Sequence, residues 1–280
     1  MIGATHEDGF WPRFYLAFGT LAHGFSRLWH RYRIRGWQRV PQGPVMFVGN
    51  HSGIGIVDVL CLLGAWRMRM GLSRRVVGMM HDSFLAFPIV GHFARWFGAS
   101  RAHPDNARAV LGGGRDLVVF PGGDLDAGRP LLAARKVVFG PRRGYVRIAL
   151  DAGVPIVPVA TIGSHYTYLQ LPISKPVGTI ARAAGLTRSR YVCLPYAWVP
   201  MIAAAVMVAL GVAPWWVLVV AAAVLFVPNP VRVTTEFLPP IDVVTATRHL
   251  RDPGARVEAA HQLVHRALSD RVAQMEHRAC

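Results

Sequence analysis

A single histidine stands where a short apolar run gives way to a glycine-bearing turn. Residues 45–48 are Val-Met-Phe-Val and residues 49–55 are Gly-Asn-His-Ser-Gly-Ile-Gly, after which a second apolar run follows. This order predicts a buried strand, a turn and then a helix. Because strand ends open onto crevices in α/β proteins, His51 is expected to face one. Asp58 is the first acidic residue after Asp8, so it is the carboxylate to consider beside this histidine.

The alternation of apolar runs and helical patterns continues along the chain. We predict an α/β fold with a mostly parallel or mixed central sheet flanked by helices. The expected strands are 45–48, 76–80, 117–120, 156–160 and 231–237. The expected helices are one starting near Ile56 with Asp58 in its first turn, one ending near Phe97, one from Arg101 to Val110 capped by Asp105 or Asn106, one from Tyr145 to Asp151, and a final amphipathic helix over 253–276.

The composition points to a membrane surface. Hydrophobic residues make up 52% of the 280 residues and charged residues only 16%. The formal net charge of +16 favours an anionic partner, either lipid headgroups or nucleic acid. Nearly all of this charge is arginine beside apolar runs, so we expect membrane lipids and no nucleic acid as partners. The expected location is monotopic or peripheral, on the cytoplasmic face of the inner membrane.

Residues 1–40 are expected to form a membrane-binding region built on an amphipathic helix. Phe14, Leu21, Phe25 and Leu28 recur at helical spacing, with arginine and histidine towards the end of the pattern. Such a helix places apolar rings at the acyl boundary and guanidinium groups among the phosphates. An ordinary amphipathic helix packed on the core is the alternative.

Residues 41–280 are expected to form the main domain, with an apolar insertion at 191–231. This insertion has no ionisable side chain other than Tyr and Cys, and prolines and a glycine divide it into the pieces 201–210 and 215–227. Each piece is shorter than the ~20 residues that a spanning helix needs. We predict a helical hairpin that dips into one leaflet or covers a lipid tunnel. A spanning pair or a buried core pair is the alternative.

The cysteines and histidines show no metal-ligand or disulfide pattern. Cys61, Cys193 and Cys280 are far apart in the chain. We therefore expect a reducing compartment and no metal site. We also expect no secretory signal peptide.

Four blocks, in their order and spacing, resemble the glycerolipid acyltransferase superfamily. They are Asn50-His51 followed by Asp58, then Arg101, then Phe-Pro-Gly-Gly at 120–123, and Val-Pro-Ile-Val-Pro-Val at 154–159. The resemblance covers residues 45–165 well and the termini hardly at all. It implies transfer of a fatty acyl chain from an acyl-CoA or acyl-ACP thioester to a hydroxyl of a lysolipid or glycerolipid, with no cofactor.

The resemblance also implies roles for individual residues. A hydroxyl is a poor nucleophile at neutral pH and needs a base within hydrogen-bond reach. His51 would be that base, and Asp58 would hold the imidazole tautomer and stabilise the imidazolium. The expected substrate-binding residues are Asn50, Arg101, Pro121, Gly122, Gly123, Asp124, Arg129 and Arg142.

The spacing of the histidine and aspartate departs from the usual family pattern. Most members have four residues between the two, whereas six lie between His51 and Asp58. Seven positions of regular helix span ~10.5 Å, too far for a direct contact. We therefore predict that Gly53 and Gly55 fold the extra residues into a loop and that Asp58 still reaches His51.

The glycine-rich block departs as well. Gly122 stands where most members have glutamate, and this form is similar to that of diacylglycerol-acyltransferase-like members. The exchange argues against a phosphate-bearing acceptor of the ordinary kind. Asp124, Asp126 and Arg129 are candidates for the missing polar contacts, and a solvated loop is the alternative.

Other polar residues have competing interpretations. His81-Asp82 is a candidate second catalytic pair, or the partner region of His51. Arg142 and Arg143 either bind a coenzyme phosphate or lipid headgroup or line a solvated turn. Ser52 beside His51 suggests a serine hydrolase, but no Gly-x-Ser-x-Gly elbow is present.

The leading hypothesis is a membrane-associated O-acyltransferase. The alternative is a non-catalytic membrane-binding scaffold with an acyltransferase-like fold, and a basic nucleic-acid binder comes third. The presence of both His51 and Asp58 favours the enzyme. Acyl-CoA and acyl-ACP both remain as donors, and the acceptor lipid and the oligomeric state stay open.

Overall fold

The computed structural model describes residues 11–52, 56–86, 88–172, 175–185, 193–222 and 227–279. The strands, in chain order, are β1 (Arg33–Arg35), β2 (Met46–Gly49), β3 (Val76–Met80), β4 (Ser100–Arg101), β5 (Asp116–Val119), β6 (Ile156–Ile162), β7 (Leu169–Pro172), β8 (Cys193–Tyr196) and β9 (Thr234–Phe237). The helices are α1 (Pro12–Trp29), α2 (Val57–Met70), α3 (Asp82–Ala86), α4 (Pro88–Trp96), α5 (Pro104–Gly112), α6 (Asp124–Ala127), α7 (Gly144–Ala152), α8 (Lys175–Ala183), α9 (Trp198–Ala209), α10 (Pro214–Ala222), α11 (Val243–Thr247) and α12 (Pro253–Ala279).

A seven-stranded mixed sheet forms the centre of the fold. Its order is β1-β9-β6-β2-β5-β3-β4, and β7 pairs with β8 in a separate two-stranded sheet. The strands β2 to β6 run parallel to one another, whereas β9 is antiparallel to β6. The parallel strands therefore have their carboxyl ends at one edge of the sheet, and this edge carries the candidate site. The predicted α/β class with flanking helices is confirmed.

Both faces of β2 are buried, as expected of a central parallel strand with a continuous apolar sequence. Met46 and Val48 pack into a core cluster with residues of α5, α7 and α12. Val45 and Phe47 pack into a second cluster with residues of α1 and α2. The histidine that follows β2 is therefore attached to a fully buried central strand.

A buried ion pair fixes the start of β2 against β5. Asp116 accepts from the backbone N–H of Val45 at 3.1 Å, and the guanidinium of Arg74 donates to both of its carboxylate oxygens at 2.7 and 3.0 Å. Burial of a carboxylate is costly unless it is paired and hydrogen bonded, so all three groups are held in register.

The predicted start and cap of one helix need correction. The helix expected from Arg101 begins instead at Pro104, and Arg101 itself lies in the short edge strand β4. The N-cap of this helix, α5, is His103 rather than the expected Asp105 or Asn106. The Nδ1 of His103 accepts from the backbone N–H of Asp105 at 3.4 Å. The residue before a proline avoids the helical region, and a proline at the first helical position has no N–H to lose.

The sheet also extends beyond the expected main domain. Residues 33–35 form β1 and pair with β9, so the sheet includes part of the region 1–40 that the sequence pattern assigns to membrane binding. The strand expected over 231–237 begins at Thr234.

The N-terminal helix and the apolar hairpin are present as helices. In α1, Phe14 contacts the rings of Phe93 and Trp96, whereas Leu21, Phe25 and Leu28 are exposed. The apolar insertion forms α9 and α10, which pack against each other, and residues 191, 192 and 223–226 lie outside the described part. Within the described residues, no helix combines the length and apolar content needed to cross a membrane.

The final helix buries the predicted stripe. Val257, Ala260, Val264, Leu268 and Met275 all pack into the core beneath the sheet. The spacing of three or four residues places them on one face of α12.

Leu268→Ala tests this packing. Leu268 is fully buried, so its truncation should lower the free energy of unfolding by about 2–5 kcal/mol through lost contacts and a cavity. Leu263→Ala on the same helix is the matched control, because Leu263 is 42% exposed and its loss should cost less than about 1 kcal/mol. Chemical denaturation measures both, and equal losses would contradict the proposed packing.

Candidate active site

The carboxyl edge of the parallel strands gathers polar residues from distant parts of the chain. His51 follows β2, the block 120–123 follows β5, and Ser164 follows β6. Because β5 and β6 are the two direct neighbours of β2, these three segments surround the histidine. This edge is where open α/β sheets place their ligand sites.

His51 and Asp58 are in direct contact. The distance from His51 Nδ1 to Asp58 Oδ2 is 3.0 Å, and Asp58 is 2% exposed. Helix α2 starts at Val57, which places Asp58 in its first turn. The predicted contact despite the long spacing is therefore confirmed, while the glycine loop proposed to permit it, residues 53–55, lies outside the described residues.

Asp58 is held by backbone donors as well as by the histidine. Its Oδ2 also accepts from the backbone N–H of Ser52 at 2.9 Å, and Oδ1 accepts from that of Val59 at 2.8 Å. A carboxylate at the first turn of a helix is further stabilised by the helix dipole. An ionised acceptor facing Nδ1 favours the tautomer with the proton on Nδ1, which leaves the lone pair of His51 on Nε2.

The ring of His51 is fixed by stacking on Phe120. The ring centroids are 4.4 Å apart and the planes differ by 18°. Gly49 makes room for this arrangement, since a Cβ there would lie 2.7 Å from the Phe120 ring. The phenylalanine of the glycine-rich block thus positions the histidine directly.

The environment of His51 shifts its pKa. Burial lowers the pKa, but the charge of Asp58 and its hydrogen bond raise it, and the net pKa lies above the ordinary value of 6.5. Asp126 raises it further and Arg129 lowers it. The raised value is what a carboxylate facing an imidazole produces, because the imidazolium is the form it stabilises.

A buried ion pair holds the backbone of His51. Asp126, fully buried, accepts from the backbone N–H groups of His51 at 2.6 Å and Val138 at 2.7 Å, and from the guanidinium of Arg129. Arg129 also donates to the carbonyl oxygen of His51 at 3.2 Å. The pair therefore binds both polar groups of the His51 backbone.

Gly122 gives Asp126 its place. A Cβ on Gly122 would lie 2.3 Å from the Cβ of Asp126 and 2.3 Å from the carbonyl oxygen of Val138. No side chain fits there while Asp126 occupies this position. The glycine of the block is therefore a packing requirement of the buried carboxylate in the next turn.

Gly123 and Arg142 form the outer part of the turn. Gly123 has φ +50, and a Cβ there would lie 2.5 Å from Arg142 Nη1. Arg142 Nη2 lies 3.4 Å from Asp124 Oδ1, and both side chains are partly exposed. A half-exposed guanidinium over the glycine turn is available to an anionic group of a substrate or co-substrate.

The described residues contain no cluster of His, Cys, Asp and Glu that could hold a metal ion.

Known proteins resemble this chain in sequence and in fold. Residues 31–162, from just before β1 to the end of β6, match the family model described as Acyltransferase. The fold is similar to that of the 1-acyl-sn-glycerophosphate acyltransferase PlsC from Thermotoga maritima, with a TM-score of 0.50 and 16% identity over 92% of this chain and 79% of that one. Residues 31–162 therefore resemble an acyltransferase in sequence, and the chain resembles one in fold.

Two kinds of relative were also found. An uncharacterized protein of Mycobacterium tuberculosis is 31% identical over 185 residues, which are 65% of this chain and 51% of that protein. A human protein named DGAT1/2-independent enzyme synthesizing storage lipids is 29% identical over 162 residues, 56% of this chain and 48% of that protein. The chain thus spans about half the length of the curated relatives it matches.

Two residues that the superfamily resemblance assigns to substrate binding are in the interior. Asn50 is 2% exposed and bonds through both ends of its amide to the backbone of Thr161, at 2.8 Å each. Arg129 is also 2% exposed, and its donors face Asp126 and the carbonyl oxygens of His51, Ala133 and Ala134. Both side chains hold the site together, which corrects the expectation that they contact substrate.

The remaining predicted residues line the edge of the sheet. Pro121 and Gly122 are buried, and Asp124 is exposed at the start of α6. Arg101 ends β4, three strands from β2 in the sheet order, and its guanidinium donates to Asp82 at 2.7 Å. At about 4.8 Å per strand, its backbone lies roughly 14 Å from that of β2.

Three competing interpretations lose support. Asp82 faces Arg101, whereas the Nδ1 of His51 faces Asp58, so His81-Asp82 does not supply the partner of His51. The hydroxyl of Ser52 is hydrogen bonded to that of Ser164, which argues against a serine nucleophile activated by His51. Arg143 donates to Glu258 of α12 at 2.8 Å, which argues against its binding a coenzyme phosphate or lipid headgroup.

Sequence reasoning named Asp126 as a candidate for the missing polar contacts but not as a residue that holds the His51 backbone, and it did not identify Ser164. Asp126 and Arg129 are three positions apart, a spacing that a solvated surface pair shares. The available signal was the double glycine before them, because a turn without side chains implies that something else fills the space.

Gly122→Ala tests the packing of the turn. The methyl group would collide with Asp126 and the Val138 carbonyl, so we expect a loss of about 1–3 kcal/mol in unfolding free energy. Gly112→Ala is the control, because a methyl group there has no neighbour within 4 Å and should leave stability unchanged or raise it by about 0.5–1 kcal/mol. Thermal unfolding measures both, and a stable Gly122→Ala protein would refute the tight turn.

Proposed function

We propose that this chain is a membrane-associated O-acyltransferase that moves a fatty acyl chain from an acyl-CoA or acyl-ACP thioester to a hydroxyl of a glycerolipid. The observation that carries the proposal is the 3.0 Å contact between His51 Nδ1 and Asp58 Oδ2 at the carboxyl edge of the sheet. It orients a basic Nε2 away from the carboxylate, where a hydroxyl can meet it.

The chemistry needs one base and no covalent enzyme intermediate. The acceptor hydroxyl gives its proton to His51 Nε2 while its oxygen attacks the thioester carbonyl carbon. The tetrahedral intermediate then collapses, the carbon–sulfur bond breaks, and the departing thiolate takes the proton back from Nε2. Asp58 remains ionised throughout and stabilises the imidazolium that exists between the two steps.

Asp126 and Arg129 act as positioning residues in this proposal. They contact the backbone of His51 rather than the reacting atoms. Fixing the backbone and stacking the ring on Phe120 restrict Nε2 to one direction, and such orientation contributes to rate without any new proton transfer.

The pH dependence follows from the raised pKa of His51. A general base must be neutral, so kcat/KM should rise with pH through a midpoint above 6.5 in the wild-type protein. Asp58→Asn removes the charge that raises the pKa, and burial then lowers it, so the midpoint should fall below 6.5. The same pKa shift in the wild-type protein stabilises the fold below pH 6.5, and this contribution is lost as the pH rises through the raised pKa.

The measurement is a pH–rate profile of wild-type, Asp58→Asn and Asp151→Asn proteins. Asp151 pairs with Arg108 on the surface, so its substitution should leave the midpoint unchanged. His51→Ala should lose about 10²–10⁴ in rate. A His51→Ala protein at wild-type rate would rule out the mechanism, and an unshifted midpoint in Asp58→Asn would assign the titration to another group.

We further propose that the acceptor carries no phosphate next to its reacting hydroxyl. Recognition of a phosphate needs cationic donors that are free to bind it. Arg129 uses its donors internally, and Arg101 is bound to Asp82 at the far side of the sheet. We assign the half-exposed Arg142 to the phosphate of the acyl-CoA or acyl-ACP co-substrate. The human relative whose name refers to storage lipids supports a neutral glycerolipid as acceptor.

An acceptor competition tests this choice. Diacylglycerol and lysophosphatidate are offered together with one acyl-CoA in mixed micelles, and the products are separated by mass spectrometry. We expect kcat/KM for diacylglycerol to exceed that for lysophosphatidate. A preference for lysophosphatidate would overturn the choice of acceptor while leaving the acyltransferase assignment in place.

A further inference from the structure

Helices α9 and α10 form a hairpin whose surface is apolar on both helices. The sequence from Trp198 to Val231 has no ionisable residue. Its exposed large side chains are Trp198, Met201, Ile202, Val206, Val208 and Leu210 on or next to α9, and Trp215, Trp216, Leu218 and Val219 on α10. Leu210 is 75% exposed and Leu218 is 70% exposed, so this surface is not covered by the described part of the chain.

The breadth of the exposed face indicates immersion rather than docking. At about 100° per residue, the exposed side chains of α9 cover roughly 200° of its circumference. A helix that docks into a protein groove presents a narrower stripe at positions i, i+3, i+4 and i+7. A helix that is apolar around most of its surface belongs in a core or in a bilayer.

The length of the hairpin limits how deeply it can enter a bilayer. Helix α9 has 12 residues, which span about 18 Å at 1.5 Å per residue. The hydrocarbon core of a bilayer is about 30 Å thick, so one leaflet is about 15 Å. The hairpin can therefore occupy one leaflet and does not have the length to cross both.

Exposed arginines lie at the base of the hairpin. The Trp29 Nε1 at the end of α1 donates to the carbonyl oxygen of Pro228, where the chain returns from the hairpin, at 2.8 Å. Arg31 and Arg33 follow at once and are exposed, and the backbone N–H of Arg33 donates to Val233 at 3.1 Å. Guanidinium groups beside an apolar surface complement the phosphates of anionic lipids.

The base is also fastened to the catalytic edge of the sheet. The fully buried Asn229 accepts from the backbone N–H of Trp198 at 2.7 Å, which joins the two ends of the hairpin. Its own backbone N–H donates to the carbonyl oxygen of Thr167 at 2.8 Å, three residues after the Ser164 that bonds to Ser52. Insertion of the hairpin would thus bring the mouth of the site to the lipid surface.

From these observations we propose that the α9–α10 hairpin inserts into one leaflet of an anionic bilayer, with Arg31 and Arg33 at the headgroups. The identity of the occupant rests on the proposed function, since a lipid acceptor and an acyl chain reside in the membrane. The hairpin holds the carboxyl edge of the sheet against the surface that supplies both.

Vesicle co-sedimentation of the full chain tests the proposal. The vesicles contain phosphatidylcholine alone or with phosphatidylglycerol. Leu210→Asp and Leu218→Asp should each weaken binding to both kinds at least about tenfold, because a carboxylate in hydrocarbon is costly. The double substitution Arg31→Ser with Arg33→Ser should remove only the gain that phosphatidylglycerol gives. Leu72→Asp is the matched control, because Leu72 is 44% exposed in the turn after α2 at the opposite edge of the sheet.

The outcomes distinguish a failure of the hairpin proposal from a failure of the proposed function. All variants are checked for an unchanged melting temperature, and Leu210→Asp should keep acyl transfer in detergent micelles. His51→Ala should bind vesicles like the wild-type protein; if it also retains acyl transfer, the proposed function fails and the hairpin proposal stands. Vesicle binding at the wild-type level by both hairpin variants would overturn the insertion. If light scattering then shows that these variants are monomers while the wild-type protein is a dimer, the apolar surface is a dimer interface instead.

Discussion

The geometry of the candidate site depends on one buried carboxylate that bonds to the backbone of His51 and not to its ring. Asp126 accepts from the backbone of His51, from the backbone of Val138 and from Arg129. An ionised carboxylate in the interior costs several kcal/mol unless its oxygens are bonded, so none of these donors can leave without a large penalty. The turn after β5 and the turn after β2 are thereby locked together, and Asp58 then sets only the tautomer and the rotation of the ring.

The order of the strands decides which residues can contribute to this arrangement. Apart from those of Asp58, these contacts to His51 and its flanking residues come from β6 or from segments that follow β5 and β6, the two strands that pair with β2. Phe120 stacks on the ring, Asn50 bonds to Thr161, and Ser52 bonds to Ser164. A residue two strands farther out, such as Arg101, meets a different set of groups. Sequence blocks that occur in the right order therefore do not all converge on the same atoms.

The apolar runs of the sequence predicted the central strands, and the family resemblance implied the His51–Asp58 contact. Strands buried on both faces leave continuous apolar runs, and seven helical positions are too long for a contact, so a loop was required. The edge strands β1 and β4 are only three and two residues long. Both contain exposed arginines, so neither leaves a continuous apolar run in the sequence. The interior positions of Asn50 and Arg129 were not predictable, because polar residues near a site look alike in sequence whether they face the substrate or the core.

The Phe-Pro-Gly-Gly form of the block is best understood as moving a carboxylate rather than losing one. A side chain on Gly122 and the carboxylate of Asp126 cannot share the same space, since their Cβ atoms would lie 2.3 Å apart. The negative charge thus lies on the following helix, where Asp126 accepts hydrogen bonds from the backbone of His51 and from Arg129. What remains at the mouth is the partly exposed pair of Arg142 and Asp124, which solvent screens. The neutral acceptor that we propose would make the fewest electrostatic demands on such a mouth, while the interior ion pair keeps His51 in place.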